Sequence, residues 1–361
     1  MKSSLSQRQS QRRRILFGSS LLMLSPLVRA QAPGETLRVG TFGGTFIEAI
    51  KATIEPKFKA MTGASVEYVA GGPRDHISKM AAAGGRNVPF DVVDLPADSQ
   101  ADCIKQGLFE NVQPSELTNA SKVQPEAWIN KGYAPAREWI VSGILYIEER
   151  LKAAGLAPSA GFDLLKDPKM AGHVALPEIA NPVAPAFIGA LAKQLSGDET
   201  NIDAALKFLE QVKDPIFFPN FAALQTRFNS GEIWLVPGNL AYISRLKAPN
   251  STVAFLRPAI GERHAVGYAE GADIVKGTPR RKLALAWIDA GIDTDVQIAM
   301  ARLAGYSPTN IDAAAALGKD PQFASRFLTT KEDIAGMFFP DWSKINAAYP
   351  NWVQRWNRVM R

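Results

Sequence analysis

Two short segments of the sequence combine residue types that could bind a small charged molecule. Tyr268 and Glu270, which are separated by a single residue, place an aromatic ring beside a carboxylate. Such a pair attracts a cation through the face of the ring and through a charge-assisted hydrogen bond. Residues 42–46, Phe-Gly-Gly-Thr-Phe, contain two glycines that let the backbone approach a ligand, and N–H groups at the start of the following helix favour an anion or acceptor. The alternative for the glycine pair is a turn that needs glycine only for its φ angles.

Three further polar loops follow predicted strands. Asp98 and Ser99 follow one strand, Glu178 and Asn181 a second, and Asn239 a third. Loops at the carboxyl ends of parallel strands face the ligand crevice of an open α/β sheet, so these side chains are candidates for ligand contact. Capping of the next helix is an equally good interpretation for Asp98 or Ser99. The candidate ligand-binding residues are Phe42, Gly43, Gly44, Thr45, Phe46, Ala97, Asp98, Ser99, Glu178, Asn181, Asn239, Tyr268 and Glu270.

The spacing of apolar residues predicts the elements that must position these loops. Residues 35–42 alternate as a strand does, and the apolar residues Phe46, Ile50, Ile54 and Phe58 recur at the spacing of one helix face. The pattern predicts strands at 35–42, 64–69, 90–95, 141–147, 173–176, 231–236, 253–256 and 268–275. It predicts helices at 46–61, 76–83, 184–195, 202–213, 221–229, 283–292 and 296–303. Alternation of strands and helices with short connections indicates an α/β fold with a parallel sheet.

The first 32 residues have the pattern of an export signal. Residues 1–14 hold five basic residues and no acid, residues 15–28 are uncharged and mostly apolar, and small residues at Ala30 and Ala32 mark cleavage sites. The run Arg12-Arg13-Arg14 fits a twin-arginine signal as well as an ordinary secretory signal, so both export routes stay open. No cysteine lies near the cleavage sites, which argues against a lipid anchor. We therefore expect the mature chain to be free of the membrane in the periplasm.

The composition excludes two classes of protein. The 361 residues, enough for two domains, include 41 basic and 35 acidic residues, and six of the basic residues lie in the first 32. The remainder has 35 of each sign, so the basic surface that a nucleic-acid partner requires is not predicted. The single cysteine, Cys103, excludes a disulfide framework, and the helical pattern around it predicts a buried thiol.

The order of seven segments resembles a known family. The segments are residues 37–46, 58–66, 90–96, 163–172, 229–232, 268–277 and 305–310. In this order they resemble the extracellular solute-binding proteins of bacterial ABC importers, in the branch of the spermidine/putrescine-binding proteins. The resemblance implies the type II periplasmic-binding-protein fold, in which two α/β lobes joined by hinge crossings close on a ligand in the cleft between them. It places lobe 1 at 35–134 plus 258–307, and lobe 2 at 135–257 plus 308–361 with the C-terminal helices.

The sequence departs from the polyamine-binding branch at the loops expected to hold the ligand. Those relatives carry two acids where this chain has Glu178 and Asn181, a Trp in the loop of Asn239, and Trp-x-Asp where this chain has Tyr268 and Glu270. Fewer acids and tryptophans argue against a long polyamine, because each unpaired ammonium in the cleft costs several kcal/mol. The sequence favours a small amine-bearing cation or zwitterion that is polyamine-like, amino-acid-like or aminophosphonate-like. Asp273 is expected to face away from Glu270, because strand residues an odd number apart point to opposite faces.

Two other functions stay open at this stage. A periplasmic hydrolase could use Glu178 and Glu270 as paired carboxylates, a mechanism that depends on their separation. An iron-binding receptor of the same fold would need clustered tyrosines, whereas Tyr146, Tyr242 and Tyr268 are scattered along the sequence.

Metal and cofactor chemistry are not predicted. The three histidines, His76, His173 and His264, do not have the spacing of metal ligands and are expected at the surface or in packing. The common nucleotide, hydrolase and zinc motifs do not occur in the sequence. We therefore expect a monomeric, non-enzymatic receptor without cofactor or metal, which delivers a small molecule to the permease subunits of an ABC importer.

Overall fold

The computed structural model of the chain describes residues 34–247, 250–324, 327–328 and 330–360, and the predicted export signal lies outside them. The strands are β1 Thr36–Thr41, β2 Ser65–Ala70, β3 Val92–Pro96, β4 Glu138–Ile147, β5 Ala175–Pro177, β6 Ile216–Phe218, β7 Leu235–Asn239, β8 Val253–Leu256, β9 Ala259–Ile260, β10 Arg263–His264, β11 Val266–Ile274 and β12 Ser307–Pro308. The helices are α1 Thr45–Thr62, α2 Pro73–Ala83, α3 Ala97–Lys105, α4 Glu148–Ala153, α5 Ala184–Ser196, α6 Ile202–Leu209, α7 Phe221–Asn229, α8 Arg281–Gly291, α9 Thr294–Ala304, α10 Ile311–Gly318, α11 Pro321–Ala324, α12 Lys331–Ala335 and α13 Trp342–Val359. Short 3-10 helices connect some of them, among them Leu240–Ser244 directly after β7.

The predicted helix face of α1 is confirmed. Phe46, Ile50, Ile54 and Phe58 are all buried, because residues four apart lie on one side of a helix. The helix ends at Gly63, whose φ of 71° is the left-handed conformation that glycine adopts without a steric penalty. Burial of this face fixes α1 against the sheet and so fixes the loop at its N-terminus.

One mixed sheet runs through the described chain. Its strand order is β12-β4-β11-β3-β1-β2, and β7 and β8 also pair with β4. Strand β1 is parallel to β2 and β3, whereas β11 is antiparallel to β3 and β4. Parallel strands need crossovers, and α1 and α2 supply them here, as the strand–helix alternation in the sequence predicts.

Strand β4 connects two parts of this sheet. Its residues from Glu138 to Ser142 pair with β11, and its residues from Ser142 to Ile147 pair with β7 and β8. A short parallel pair, β5 and β6, extends the second part through a bridge between Val174 and Leu235. A continuous strand that belongs to both parts is a crossing between two lobes.

Separate hydrophobic cores define the lobes. The first lobe is built around a core that includes α1, α8 and the strands β1 and β3. The second lobe is built around two adjoining cores that include α5, α6, α7 and the second half of β4. The predicted α/β fold with two lobes and a crossing between them is confirmed.

The C-terminal segment divides between the two cores. Leu328, Ile334 and Met337 pack in the first core, whereas Trp352 and Trp356 of α13 pack in the second. The assignment of 308–361 as a whole to lobe 2 stays a prediction. The segment before α13 also contacts the main sheet, where Phe338 bridges to Val266 of β11.

Two further expectations can be compared with the described residues. Cys103 is fully buried in α3, as predicted, and burial raises the pKa of its thiol to about 12. None of the described helices combines the length and the apolar character of a bilayer-spanning helix.

Candidate functional site

A cavity of about 560 Å³ lies between the two lobes. Its walls come from the loops that follow β1, β3, β5 and β7, from β11, and from α13. Ten of the thirteen candidate residues line it, namely Phe42, Gly43, Thr45, Phe46, Asp98, Ser99, Asn181, Asn239, Tyr268 and Glu270. Loops widely separated in the sequence thus meet at one place, because each follows a strand of the same sheet or of the neighbouring short sheet.

Three candidate residues do not line this cavity. Gly44 is the N-cap of α1 with a φ of 66°, so its conformation alone requires glycine. Ala97 is buried and lines a neighbouring apolar pocket. Glu178 is exposed, and its backbone N–H donates to Phe218 over 3.1 Å. For Gly44 the turn interpretation therefore explains the residue without a ligand.

Two helix N-termini at the cavity have no side-chain cap. Gly44 precedes α1 and Pro96 precedes α3, and neither supplies a capping hydrogen bond. Asp98 and Ser99 lie within the first turn of α3, so neither occupies the capping position. Burial raises the pKa of Asp98 to about 6, and hydrogen bonding from Ser99 opposes the shift. The N-termini of both helices carry partial positive charge toward this side of the lobe, and in α3 the Asp98 carboxylate already accepts hydrogen bonds from the first N–H groups.

The side chain of Asn181 makes hydrogen bonds within the protein. Its Oδ1 accepts a 3.0 Å hydrogen bond from the N–H of Val183, and its Nδ2 donates to the carbonyl of Phe218 at 3.4 Å. These bonds hold the turn that leads into α5. The side chain lines the cavity but has little hydrogen-bonding capacity left for a ligand.

Glu270 is the candidate whose functional group is most available. The residue is 7% exposed, and no hydrogen bond or ion pair to its carboxyl group occurs within the part of the chain that the structure describes. In the sheet it lies between Pro96 of β3 and Glu138 of β4. Burial, and then the charge of Glu138, raise the pKa of Glu270 well above its ordinary value, and Arg137 opposes the shift only in part.

Asp273 faces the other side of β11, as its odd spacing predicts. It is buried and accepts a 2.9 Å hydrogen bond from Gln100 Nε2 of α3. Burial raises the pKa of Asp273 to about 7. Asp273 belongs to the packing between β11 and α3 and not to the cavity.

Aromatic rings form much of the cavity wall. Phe42 meets Phe46 edge-on at 5.2 Å between ring centres, and Phe46 meets Tyr306 at 6.0 Å. On the other side Tyr268 meets Trp342 edge-on at 5.8 Å. Burial raises the pKa of Tyr268, so its phenol is neutral and offers a π face beside Glu270.

Sequence reasoning missed three neighbouring residues of the second lobe. Phe221, Tyr242 and Arg245 all line the cavity, and the guanidinium carbon of Arg245 lies 4.2 Å from the ring centre of Phe221 and 5.1 Å from that of Tyr242. The prediction stopped at Asn239, where β7 ends. A 3-10 helix follows at once and turns Tyr242 and Arg245 back to the cleft. The sequence does contain a signal for two of them, because an aromatic and a basic residue, Tyr242 and Arg245, follow the candidate Asn239 within six residues.

Tyrosines also gather at the cavity, contrary to the expectation that they are scattered. Tyr242, Tyr268, Tyr306 and Tyr349 line it, whereas Tyr146 packs in the second core. Burial raises the pKa of Tyr242 to about 12, which disfavours the phenolate that an iron site would use. No group of three or more His, Cys, Asp or Glu side chains suited to a metal ion occurs among the described residues.

The remaining alternatives can be compared with the same geometry. Glu178 lies outside the cavity that Glu270 lines, so the two carboxylates of the hydrolase hypothesis do not share it. His76 is buried with its ring edge against Phe90, and His173 stacks on Trp234 at 3.5 Å. Both histidines are packing residues.

Solved structures with the same fold cover nearly the whole chain. An ABC transporter substrate-binding protein from Bradyrhizobium japonicum is 20% identical with a TM-score of 0.73, over 91% of this chain and 100% of that one. A periplasmic binding protein from A. tumefaciens, solved with agropinic acid, is 21% identical with a TM-score of 0.69, over 91% and 99%. A spermidine/putrescine substrate-binding protein from Streptococcus pneumoniae is 13% identical with a TM-score of 0.70, over 91% and 100%. At these identities the likeness concerns the fold.

Sequence comparison identifies the family. A search of curated proteins found no match. The sequence model of the bacterial extracellular solute-binding proteins matches residues 55–326, about three quarters of the chain. The match includes the crossing strand β4 and most of the elements that form the cavity. The resemblance inferred from the order of the sequence segments is thereby confirmed, and the chain belongs to the family of bacterial extracellular solute-binding proteins.

Proposed function

We propose that this chain is the substrate-binding component of an ABC importer and that it captures a small amine-bearing solute. The observation that carries the proposal is the buried carboxyl group of Glu270, which faces the interlobe cavity without a partner among the described side chains. Membership of the solute-binding family supports the receptor function. The carboxyl group and the surrounding aromatic rings support the class of solute.

An ammonium group fits this position for two physical reasons. A buried carboxylate without a counter-charge is costly, so Glu270 must hold a proton or meet a cation. An ammonium supplies that cation and donates charge-assisted hydrogen bonds to both oxygens. The neutral ring of Tyr268 beside it adds attraction through its π face.

Similar proteins do not decide the solute. One relative was solved with agropinic acid, and another is described as binding spermidine and putrescine. Their ligands differ in charge and size, so the residues of this chain's own cavity indicate its solute. In the proposal Tyr268 and Glu270 hold the amine, and Phe42, Gly43, Thr45, Phe46 and Asn239 complete the walls around it.

The cellular setting follows from the receptor function. The N-terminal 32 residues direct export, and the mature chain works in the periplasm as a monomer that meets permease subunits after the lobes close. Closure removes water from around the solute and strengthens each polar contact within the cavity. No nucleic-acid partner and no cofactor are part of the proposal.

A binding screen with matched variants tests it. Thermal shift with polyamines, amino acids, aminophosphonates and quaternary amines should find stabilising compounds, because ligand binding at 100 times Kd adds about 2.7 kcal/mol. Titration calorimetry should then give a Kd that Glu270→Gln weakens strongly and Glu178→Gln leaves unchanged, since Glu178 is exposed outside the cavity. The bound compound should be recovered intact. Recovery of a hydrolysed product, or equal effects of the two substitutions, would contradict the proposal.

A further inference from the structure

We infer that the solute is a zwitterion whose anionic group binds Arg245 on the second lobe while its amine binds Glu270 on the first. This inference rests on the proposed function and adds a binding site for the anionic group of the solute. The anion is an oxyanion, either a carboxylate or a phosphonate, because both match the planar, forked donors of a guanidinium.

Arg245 lacks the partners that a structural arginine has. Its Nε is buried without a hydrogen-bond partner, and no ion pair or hydrogen bond to its guanidinium occurs within the described ranges. Arg137, by contrast, donates to Asp94 over 2.7 Å and to both carboxylate oxygens of Glu138. A buried guanidinium donor that faces a cavity and lacks an acceptor is a costly arrangement unless a ligand supplies the acceptor.

The position of Arg245 is nevertheless held by packing. The guanidinium lies over the rings of Phe221 and Tyr242, and the backbone carbonyl of Arg245 accepts a 2.8 Å hydrogen bond from Gln225 Nε2. These contacts fix the side chain before a ligand arrives. Pre-organisation of this kind lowers the entropy cost of binding.

The two unpaired charges belong to different lobes. Arg245 follows the 3-10 helix after β7, which pairs with the second half of β4. Glu270 lies on the part of β11 that pairs with β3 of the first lobe. A solute with both charges therefore connects the lobes, whereas a diamine leaves the half-buried Arg245 without a counter-charge and a dicarboxylate leaves Glu270 without one.

A second polar group lies on the same side of the cavity. Asn239, at the end of β7, lines the cavity, and its Oδ1 is buried without a hydrogen-bond partner. The amide can pair with an oxyanion through Nδ2 or with a hydroxyl through Oδ1. The competing anion positions are the uncapped N-termini of α1 and α3, which carry about half a charge each, and the side chain of Arg74 in α2. They belong to the same lobe as Glu270, and Arg74 already donates to the hydroxyl of Tyr349 at 3.3 Å. An anion at Arg245 bridges the lobes.

Titration calorimetry with compounds of matched length tests the inference. The probes are γ-aminobutyrate, aminopropylphosphonate, putrescine and succinate, followed by the series of ω-amino acids from glycine to aminohexanoate. Some member of the amino-acid or aminophosphonate set should bind at least about tenfold more tightly than the diamine or the diacid. Comparison of the affinities for the amino acid and the aminophosphonate then shows whether the oxyanion is a carboxylate or a phosphonate.

Variants of Arg245 assign the effect to this residue. Arg245→Gln should weaken the zwitterion by about 30-fold or more, because its anionic group loses the partner that the guanidinium supplies. The same substitution should strengthen diamine binding, because it removes the positive charge that a second ammonium would meet in the cavity. Arg245→Lys should be intermediate, and Arg245→Glu should reverse the preference toward the diamine. Arg227→Gln is the control, since Arg227 is on the same lobe, pairs with exposed Glu232 and lies outside the cavity.

The outcomes separate this inference from the proposed function. If Glu270→Gln abolishes amine binding but Arg245→Gln does not change zwitterion affinity, or the diamine is preferred, the zwitterion inference is wrong and the receptor proposal stands. If no amine binds and Glu270→Gln has no effect, the proposed function fails as well. Unchanged unfolding temperatures of the Arg245 variants exclude a folding defect as the cause.

Discussion

The guanidinium of Arg137 donates a 2.7 Å hydrogen bond to Asp94 Oδ1 and thereby ties β3 to the start of β4 across β11. The same guanidinium donates to both oxygens of Glu138, at 3.1 and 3.0 Å. One buried cation thus serves two carboxylates, and the third carboxyl group of the cluster, Glu270, has no cation of its own. A ligand amine or a proton must therefore balance Glu270.

The Arg137 cluster should be essential to stability. Arg137→Gln leaves Asp94 and Glu138 buried without a counter-charge, so we expect the free energy of unfolding at neutral pH to fall by about 3–5 kcal/mol. The deficit should shrink as the pH falls, because protonation of the two carboxyl groups removes the uncompensated charge. Chemical denaturation at several pH values measures both effects.

The control for this prediction is an exposed ion pair. Arg281 donates to Glu116 at 2.7 Å, but both side chains are partly exposed. Arg281→Gln should therefore cost only about 0.2–1 kcal/mol. Equal losses from Arg137→Gln and Arg281→Gln would mean that burial does not decide the strength of these pairs.

Amine binding should depend on pH through Glu270. The pKa of this carboxyl group is raised first by burial and then by Glu138, so the empty cavity retains the proton above the usual range of a glutamate. An ammonium favours the ionised form, so binding releases the proton and affinity rises with pH until the pH exceeds the pKa of the empty site. The charged groups that act on Glu270 are Glu138, Arg137, Asp94 and Asp98, and the titratable phenols of Tyr268 and Tyr306 also interact with it.

Calorimetry in buffers of different ionisation enthalpy measures the released proton directly. The wild type should release up to one proton per amine at pH values below the raised pKa of the empty site, and fewer as the pH rises above it. Glu270→Gln should bind weakly without that release. Proton release that persists in Glu270→Gln would assign the titration to another group, such as Asp98, whose pKa is about 6.

Local sequence patterns predicted the elements of this protein well because each depends on contacts between neighbours in the chain. The helix face of α1 and the strand at 253–256 follow from apolar spacing alone. Asp273 was correctly predicted to face away from Glu270 because side chains alternate along β11. Six of the ten candidate residues that line the cavity, within 42–46 and 98–99, follow from the rule that parallel strands, here β1 and β3, end at a common edge.

Properties that depend on distant parts of the chain could not be predicted. The guanidinium of Arg245 stacks on Phe221, a contact between residues on different elements. Glu178 and Asn181 looked alike as polar residues of one loop, yet one is exposed and the other is held by Val183 and Phe218. Glu270 lacks a partner because Arg137 donates to Asp94 and Glu138 instead. No local sequence pattern predicts which carboxylates an arginine will pair with.

The two glycines after β1 should differ in what they do. Gly43 lines the cavity, its φ is not positive, and an added Cβ would meet only the Cβ of Ala70 at 3.9 Å. Gly43→Ala should therefore keep the stability and weaken ligand binding, because the methyl group holds the solute away from the backbone. Gly44→Ala should lower the free energy of unfolding by about 1–3 kcal/mol, because alanine is strained at a φ of 66°.

Paired measurements of affinity and unfolding separate these effects. Titration calorimetry and denaturation of both variants should give a change mainly in Kd for Gly43→Ala and mainly in stability for Gly44→Ala. A loss of stability in Gly43→Ala with unchanged Kd would mean that the first glycine also serves only the turn.

The ring of Tyr268, rather than its hydroxyl, should hold the amine. Burial keeps the phenol neutral, and the edge-to-face contact with Trp342 at 5.8 Å fixes the ring beside Glu270. Tyr268→Phe should therefore leave the Kd for the amine within about threefold of the wild type. Tyr268→Leu should raise the Kd by about 3- to 30-fold through loss of the cation–π attraction.

Calorimetry of the two single variants, of Glu270→Gln and of the double variant Tyr268→Leu/Glu270→Gln measures the coupling between ring and carboxylate. Both groups act on one ammonium, and either single substitution can displace the amine from this position. The loss of binding free energy in the double variant should therefore be smaller than the sum of the two single losses. Strict additivity, or a Phe variant as weak as the Leu variant, would contradict the assignment of the amine to this pair.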